Sequence, residues 1–422
     1  MPAPDNQALS EHLTRLLSPA VYSQQAYYQS LGMRERLLGL PLMVAAVVTL
    51  LWHQVPSVIE LTRMLNRKDL LWAKAVRVSR QALSERLLGF PYELFERVFQ
   101  ALLPELKSRW EARQRPLPLS VAHGLKQYER VWAVDGSVLE ALFRKLKSLE
   151  DCAPGQLAGK ICTIVEIGPQ LPIQVWFTEN AKAHDSQFLG QLREFVPART
   201  LLLLDRGFYD FQWWAQLVNN QVEFICAAKS NLAFQVIQSL SDTPNLRDRL
   251  IEIGKDEQGH PLLRVRLIEI RKGKGWYRYL TSVLEPELMP PYVVADLYAR
   301  RWRIEDAFHL VKRLLGLSYL WTGSLNGIKL QIWATWLMYA VLVDLSDAVA
   351  EAVGLPLERI SMEMVWRGLY HFNEAHNRGL ASDPVAYLAA PENRDLSVVK
   401  TVRKPPKVLD FTPVFLSTLP PS

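Results

Sequence analysis

The chain has 422 residues, 49% of them hydrophobic, which is enough for two or three domains that each bury a core and excludes an intrinsically disordered chain. The formal net charge of +6 is only mildly basic, so charge alone is a weak sign of a polyanionic partner. The three cysteines, Cys152, Cys162 and Cys226, are too few and too scattered for a disulfide framework or a zinc ribbon, and we expect a cytoplasmic protein.

Two apolar stretches are too short to cross a membrane. Leu37–Trp52 has 16 residues and contains Pro41, and Ile332–Val343 is shorter still, whereas a span needs roughly 20 apolar residues. Residues 1–36 carry charges throughout and show no signal-peptide pattern. We therefore predict two buried core helices and no membrane partner.

Residues 1–125 have helical spacing and are predicted to form an all-α N-terminal DNA-binding domain. The most basic part of this region contains three short helical patterns: Val58–Leu65, Leu70–Val76 and Arg80–Leu88. Three short helices with a basic surface are typical of helix-turn-helix docking in a DNA groove, so we predict that Arg77, Arg80 and Arg86 face solvent and contact DNA. An ordinary helical domain with a solvated, charged surface explains the same pattern equally well.

Strand patterns begin after a linker at residues 116–128. The predicted strands are Arg130–Val134, Ile161–Ile167, Ile173–Phe177, Thr200–Leu204 and Val222–Ala227, with helices over Ser186–Phe195 and Asp210–Asn219. Two of these strands are predicted to stop at an aspartate that a turn follows, Asp135 and Asp205. Ligand sites in open α/β sheets gather at strand ends, although an aspartate before glycine often only opens a turn.

Residues 230–285 alternate β-like runs with polar turns and are predicted to form a β-rich insertion. Near its end, residues 271–279 interleave cations with aromatic side chains that include Trp276 and Tyr277. Such a mixture suits a phosphate backbone and stacked bases. A charged hairpin tip with core aromatics is the alternative.

The stretch Pro291–Gly316 is predicted to be one long helix, because proline suits a helix start and glycine suits a helix end. At about 100° per residue, Tyr298, Arg301, Glu305 and Lys312 fall on one polar line beside an apolar stripe. Such a line can hold a carboxylate at a site while its cations bind an anion. A solvated i,i+4 ion pair of Arg301 and Glu305 is the alternative.

The C-terminal part of the chain is predicted to be mainly helical. Long helices are expected over Leu325–Val353 and Ile360–His376, and residues 351–422 form a C-terminal helical region with a Pro/Lys-rich tail. The tail from Asn393 onward is expected to be extended or poorly ordered.

The three candidate acids, Asp135, Asp205 and Glu305, predict a metal site if they converge in the fold. Carboxylates without histidine or cysteine partners suit Mg²⁺ or Mn²⁺. Two such ions, about 3.5–4 Å apart, activate a nucleophile and stabilise the leaving oxygen in phosphoryl transfer. Zinc hydrolysis is disfavoured, because no His-Glu-x-x-His pattern occurs.

The chain resembles the DDE transposases of bacterial insertion sequences over about residues 55–345. The branch it resembles carries the signature Tyr-x2-Arg-x3-Glu-x6-Lys, which Tyr298, Arg301, Glu305 and Lys312 match in full. The surroundings of the family's two aspartates are matched by Asp-Gly-Ser at 135–137 and Asp-Arg-Gly-Phe-Tyr at 205–209.

The resemblance implies a fold, a set of metal ligands and a set of DNA contacts. The fold is α/β, with a ribonuclease-H-like mixed sheet flanked by helices at 126–229 and 286–350, interrupted by the β-rich insertion and preceded by the all-α domain. Asp135, Asp205 and Glu305 are implied to be catalytic and to bind two Mg²⁺ ions, or Mn²⁺ in their place. The implied contacts to transposon-end DNA are Tyr298, Arg301, Lys312, Arg206 and one insertion aromatic, Trp276 or Tyr277, stacked on a flipped base.

The implied function is that of a transposase. It binds the inverted repeats at the ends of its own mobile DNA, works as a homodimer in a synaptic complex, cleaves the ends and transfers the strand to target DNA. We expect it in the cytoplasm, on the nucleoid when bound to DNA. The alternatives are a catalytically inactive, transposase-derived DNA-binding regulator and a metal-dependent nuclease without strand transfer.

Overall fold

A computed structural model describes residues 7–33, 36–55, 57–139, 159–180, 182–317 and 324–399. They divide into two compact units. The helical unit comprises the described residues up to Pro116, Leu139, and those from Ala307 onward. The sheet unit comprises Leu117–Val138 and Gly159–Asp306. Cys152 and the tail beyond residue 399 lie outside the described residues.

Helices and strands are numbered in chain order. The α-helices of the described residues are α1 Gln7–Tyr22, α2 Gln25–Ser30, α3 Leu40–Trp52, α4 Val58–Leu65, α5 Arg80–Gly89, α6 Glu93–Ala112, α7 Leu119–Gln127, α8 Leu189–Phe195, α9 Phe211–Asn219, α10 Pro291–Arg300, α11 Arg303–His309, α12 Leu325–Val353, α13 Met362–Asn377 and α14 Pro384–Ala389. The strands are β1 Arg130–Val138, β2 Lys160–Glu166, β3 Pro172–Thr178, β4 Thr200–Leu204, β5 Val222–Ala227, β6 Phe234–Asp242, β7 Leu246–Ile253, β8 Leu263–Lys272 and β9 Gly275–Thr281.

Helix α12 is the centre of the helical unit, where α3, α5, α6, α13 and α14 pack against it. The side chain of Ser324 caps its start, and Gly354 ends it in the left-handed conformation. The helix is long and apolar enough to cross a membrane, but 94% of its most apolar window is buried within the protein, as in a core helix. Helix α3 is also buried, which confirms the core reading of both apolar stretches.

The predicted middle helix of the basic region, Leu70–Val76, is wrong. These residues form an irregular turn in which Leu70 and Ala73 exchange backbone hydrogen bonds. Asp69 accepts bonds from the N–H of Ala75 and from Lys74 Nζ, at 2.9 and 2.7 Å. These side-chain bonds compete with the helical ladder, so only the flanking helices α4 and α5 form.

The sheet unit contains one nine-stranded mixed sheet in the order β3-β2-β1-β4-β5-β9-β8-β7-β6. Strands β1, β4 and β5 are parallel, whereas β2 and β3 form an antiparallel hairpin beside β1. Helices α8 and α9 cover an apolar cluster on one face. This sheet confirms the predicted α/β fold class with a mixed sheet flanked by helices.

The insertion continues this sheet, because β9 pairs antiparallel with β5 at Ile225–Thr281 and neighbouring positions. The β-like runs predicted in the insertion are Phe234–Ile237, Leu262–Ile270 and Trp276–Val283, and they do not include strand β7. This strand carries the buried Asp248, whose carboxylate pairs with Arg266 of β8 at 2.6 Å. A charge on the buried face interrupts the apolar alternation by which a strand is identified.

The predicted single helix Pro291–Gly316 is also wrong, because it is broken at residues 301–302. The chain turns there through bonds from the N–H groups of Arg301 and Trp302 to carbonyls three residues earlier, at 3.1 and 3.3 Å. Helix α11 follows, and a π-helical segment over Leu310–Leu314 ends the stretch. The sequence contains no Pro or Gly at the break, and Arg301, where the break occurs, makes the tertiary contacts described below.

Candidate active site

Two neighbouring parallel strands bring Asp135 and Asp205 to one edge of the sheet. Val134 of β1 lies opposite Leu204 of β4, so the two aspartates that follow occupy equivalent positions. Strand β1 does not stop at Asp135 as predicted, because its antiparallel pairing with β2 continues to Val138. Asp205 does end β4, and its side chain caps the short 3₁₀ helix that follows.

A buried arginine connects these aspartates to the glutamate. Nη1 of Arg301 lies 2.6 Å from Oδ2 of Asp135, and its Nη2 lies 3.3 Å from Oδ1 of Asp205 and 3.4 Å from Oε1 of Glu305. Only 5% of the Arg301 side chain is exposed. Three carboxylates that are far apart in the chain therefore surround one guanidinium.

The three carboxylates carry more negative charge than the single guanidinium of Arg301 can neutralise. Burial, opposed by Arg301 and reinforced by Asp205, raises the pKa of Asp135 to about 6. Burial also raises the pKa of Glu305, against the attraction of Arg301. Burial disfavours the charged form of Arg301, but the surrounding acids raise its pKa above the ordinary value. Because three acids surround one cation, additional positive charge at this site is electrostatically favourable.

The donor set fits a hard divalent cation in its chemistry. Three carboxylates supply the oxygen ligands that Mg²⁺ and Mn²⁺ prefer. Across the described ranges, no three acidic, histidine or cysteine side chains are spaced to hold one ion. The guanidinium of Arg301 lies between the carboxylates, so cation binding requires these side chains to release part of their contacts with Arg301.

Residues 130–341 match the family described as Transposase DDE domain, and this range is half of the chain and includes all three carboxylates. The chain belongs to this family.

Relatives with curated names agree with that assignment. The chain is 21% identical over 170 residues to a transposase of Sinorhizobium fredii named y4zB, covering 39% of this chain and 47% of that protein. It is 24% identical over 197 residues to a Geobacillus stearothermophilus protein named as a transposase for insertion sequence element IS5377, covering 45% and 50% of the two chains. The chain thus spans about half the length of the curated relatives it matches. A cryo-EM structure of a piggyBac transposase synaptic complex with hairpin DNA aligns with 13% identity and a TM-score of 0.42, covering 99% of this chain and 92% of that one.

The aromatic residues predicted for this DDE domain lie on two faces of the sheet. Tyr298 of α10 lies beside the site, with its ring 5.8 Å from the Arg301 guanidinium and 5.5 Å from the ring of Tyr279. Tyr277 is on the same face of β9 as Tyr279, because side chains two residues apart point the same way. Trp276 is on the opposite face, where Arg247 stacks on it at 4.7 Å. Both candidates are exposed.

The other residues predicted to bind DNA differ in exposure. Arg206, Arg77 and Arg80 are exposed, as predicted for Arg77 and Arg80. The prediction that Arg86 faces out is wrong: it donates hydrogen bonds to the Leu38 carbonyl at 3.0 Å and to the Tyr28 hydroxyl at 2.8 Å.

The two signature cations also differ in their surroundings. Arg301 is turned towards the acids rather than towards solvent. Lys312 lies on the π-helical segment and belongs to the helical unit, so its place relative to the carboxylates stays a prediction.

The structure also places residues beside the site that the sequence prediction omitted. Trp302, in the turn after Arg301, is 52% exposed, which is unusual for a large aromatic ring. Asp185 packs against both Gly136 and Gly207 and pairs with Lys160. The sequence signal for Trp302 is weak, because it lies off the apolar stripe, and Asp185 carries none beyond its charge.

Proposed function

We propose that this chain is the DNA transposase of an insertion sequence. It cleaves phosphodiester bonds at the ends of its mobile DNA and joins the freed strand to target DNA. The observation that carries this proposal is the meeting of Asp135, Asp205 and Glu305 around one guanidinium. Membership of the Transposase DDE domain family supports it.

In this proposal Asp135, Asp205 and Glu305 hold two Mg²⁺ ions, with Mn²⁺ as a substitute. Divalent cations held there supply the Lewis acidity that activates water or a 3′-hydroxyl and stabilises the leaving oxygen. The protein contributes the positions of the acids: two strand positions in register and one turn of helix. Arg301 holds the three acids together, and its planar guanidinium would offer a bidentate contact for phosphate.

The proposal also assigns contacts to DNA. Tyr298 and Arg206 contact the transposon end beside the carboxylates, and Lys312 supplies a further phosphate contact. Tyr277 rather than Trp276 stacks on an unpaired base, because its ring shares a face with Tyr279 and Tyr298. Arg77 and Arg80 hold the phosphate backbone of the inverted repeat. Two copies of the chain synapse two ends.

The test compares Glu305→Ala with a matched control, Asp306→Ala, on the same turn of α11. Asp306 is 66% exposed and pairs with Arg303 at the surface. The substrates are duplexes spanning the DNA that flanks the coding region. In Mg²⁺, wild type and Asp306→Ala should nick these duplexes, whereas Glu305→Ala should lose more than about a thousandfold in rate but keep its affinity for them.

Retained cleavage by Glu305→Ala in Mg²⁺ would refute the role of the glutamate. A second measurement with the same duplexes separates the alternatives. Joined products with a target plasmid support a transposase, and nicked ends that never join support a nuclease without strand transfer. Binding without cleavage by the wild type supports the inactive regulator.

A further inference from the structure

A fourth carboxylate lies against the backbone next to both aspartates, at Gly136 in β1 and at Gly207 in the turn after β4. Asp185 begins a short 3₁₀ helix ahead of α8, and its Oδ1 is 2.7 Å from Nζ of Lys160 on β2. The same ammonium donates to the carbonyl of Ala183 at 2.9 Å, and Lys160 is 8% exposed. The loop and the strand are thus joined by a largely buried ion pair.

The two oxygens of Asp185 each touch one glycine. A Cβ atom added to Gly136 would collide with Oδ1, and one added to Gly207 would collide with Oδ2. Gly136 follows Asp135 directly, and Gly207 comes two residues after Asp205. The carboxylate therefore fills the space between the β1 backbone at Gly136 and the turn at Gly207, and only glycine permits this approach.

Asp185 contacts the backbone at Gly136 and Gly207 from the side of the sheet opposite to Arg301. Successive residues of a strand point to opposite faces, so Asp135 and Gly136 face different sides of the sheet. Asp185 lies on the Gly136 side. A buried ion pair adds little net stability, because the desolvation of both charges offsets their attraction. Stability alone therefore explains this pair poorly.

We propose that the Lys160–Asp185 pair is a positioning unit for Asp135 and Asp205. It rests on the proposed function, since it concerns the cation affinity of those two acids. The pair fixes the distance between the β1 backbone at Gly136 and the turn at Gly207, because the Asp185 carboxylate lies against both. Lys160 holds that group in place from β2. Groups that orient metal ligands typically change metal affinity by about 10–100-fold when they are removed.

The test measures cation binding by the shift of the thermal unfolding midpoint during a Mn²⁺ titration of the full chain without DNA. Asp185→Asn keeps the shape but removes the charge, and we expect it to raise the half-maximal Mn²⁺ concentration about tenfold or more. Lys160→Met should do the same, whereas Lys160→Arg should retain most of the wild-type affinity. Cleavage in Mg²⁺ should fall in the same order as the Mn²⁺ affinity.

The control is Asp248→Asn, which breaks a different buried ion pair in the same unit. It should lower the unfolding temperature without moving the half-maximal Mn²⁺ concentration. If Asp185→Asn does not fold, Asp185→Glu keeps the charge and displaces its oxygens, and the same rise in Mn²⁺ concentration is expected. A wild-type Mn²⁺ response in the folded Asp185 variant would overturn the positioning role. No Mn²⁺ response in wild type, together with cleavage by Glu305→Ala, would instead overturn the proposed function.

Discussion

Arg301 is the cation nearest to all three carboxylates and dominates the electrostatics around them. Its guanidinium is buried and meets carboxylates from β1, from the end of β4 and from α11. Three acids without it would repel one another and shift towards their protonated forms. With it, the pKa of Asp135 is still raised to about 6, because burial outweighs the single cation. Further positive charge near these carboxylates is therefore electrostatically favourable.

This imbalance predicts the sign of a stability change. The ordinary pKa of an aspartate is 3.8, and that of Asp135 is about 6 in the folded chain. Above pH 6 the folded chain must hold an ionised group that its surroundings disfavour, so Asp135 destabilises it by as much as about 3 kcal/mol. This penalty shrinks as the pH falls from 6 towards 3.8, and it vanishes only below 3.8, where the carboxyl is protonated in both states.

Asp135→Asn should therefore raise the free energy of unfolding at pH 7 in EDTA, and the gain should shrink at pH 4.5. Chemical denaturation at the two pH values measures it. Asp306→Asn, which changes an exposed acid on α11, serves as the control and should show no such gain. A loss of stability in Asp135→Asn at pH 7 would show that Arg301 stabilises the ionised form more than burial disfavours it.

At the scale of elements, the break between α10 and α11 is a feature that the helical spacing of the sequence does not predict. The wheel position of Glu305 relative to Arg301 follows from four residues of helical spacing, and their contact at 3.4 Å agrees with it. The break coincides with the contact between Arg301 and Asp135, which are 166 positions apart in the sequence. Such a contact leaves no trace in hydrophobic periodicity, so the sequence predicts a continuous helix.

Elsewhere in the fold, local sequence patterns predict some elements correctly and fail where side-chain contacts decide the structure. Thr200–Leu204 and Val222–Ala227 are predicted with the bounds that β4 and β5 have, because dense aliphatic runs between turn residues specify buried strands. Leu70–Val76 fails as a helix because Asp69 bonds to the backbone of the turn. At the site, the identity of the acids is predictable from motif and spacing. Two other features depend on tertiary packing: the contacts of Arg301 with these acids and the Lys160–Asp185 ion pair.

Strand β9 yields a prediction that separates its two aromatic residues. If a base stacks near the carboxylates, Tyr277→Ala should weaken binding of a pre-nicked end duplex about tenfold or more, while Trp276→Ala should have little effect. Tyr277→Phe should bind like wild type, because stacking needs the ring and not the hydroxyl. Equilibrium binding measured by fluorescence anisotropy tests this ranking, and the reverse ranking would assign the stacking role to Trp276.

At the scale of the whole molecule, the carboxylates and Arg301 all belong to the sheet unit, whereas Lys312, Arg77 and Arg80 belong to the helical unit. The proposed catalytic residues therefore all lie in the sheet unit, whereas the predicted DNA contacts are distributed over both units. The family match spans residues 130–341 and includes parts of both units. The proposed cation binding thus depends on residues of the sheet unit alone.

The most direct measurement is the anomalous diffraction of Mn²⁺ in crystals of the wild-type chain. The account predicts Mn²⁺ density bonded to oxygens of Asp135, Asp205 and Glu305, with at least one of these carboxylates released from Arg301. Absence of Mn²⁺ at saturating concentration, with all three acids still on the guanidinium, would contradict it.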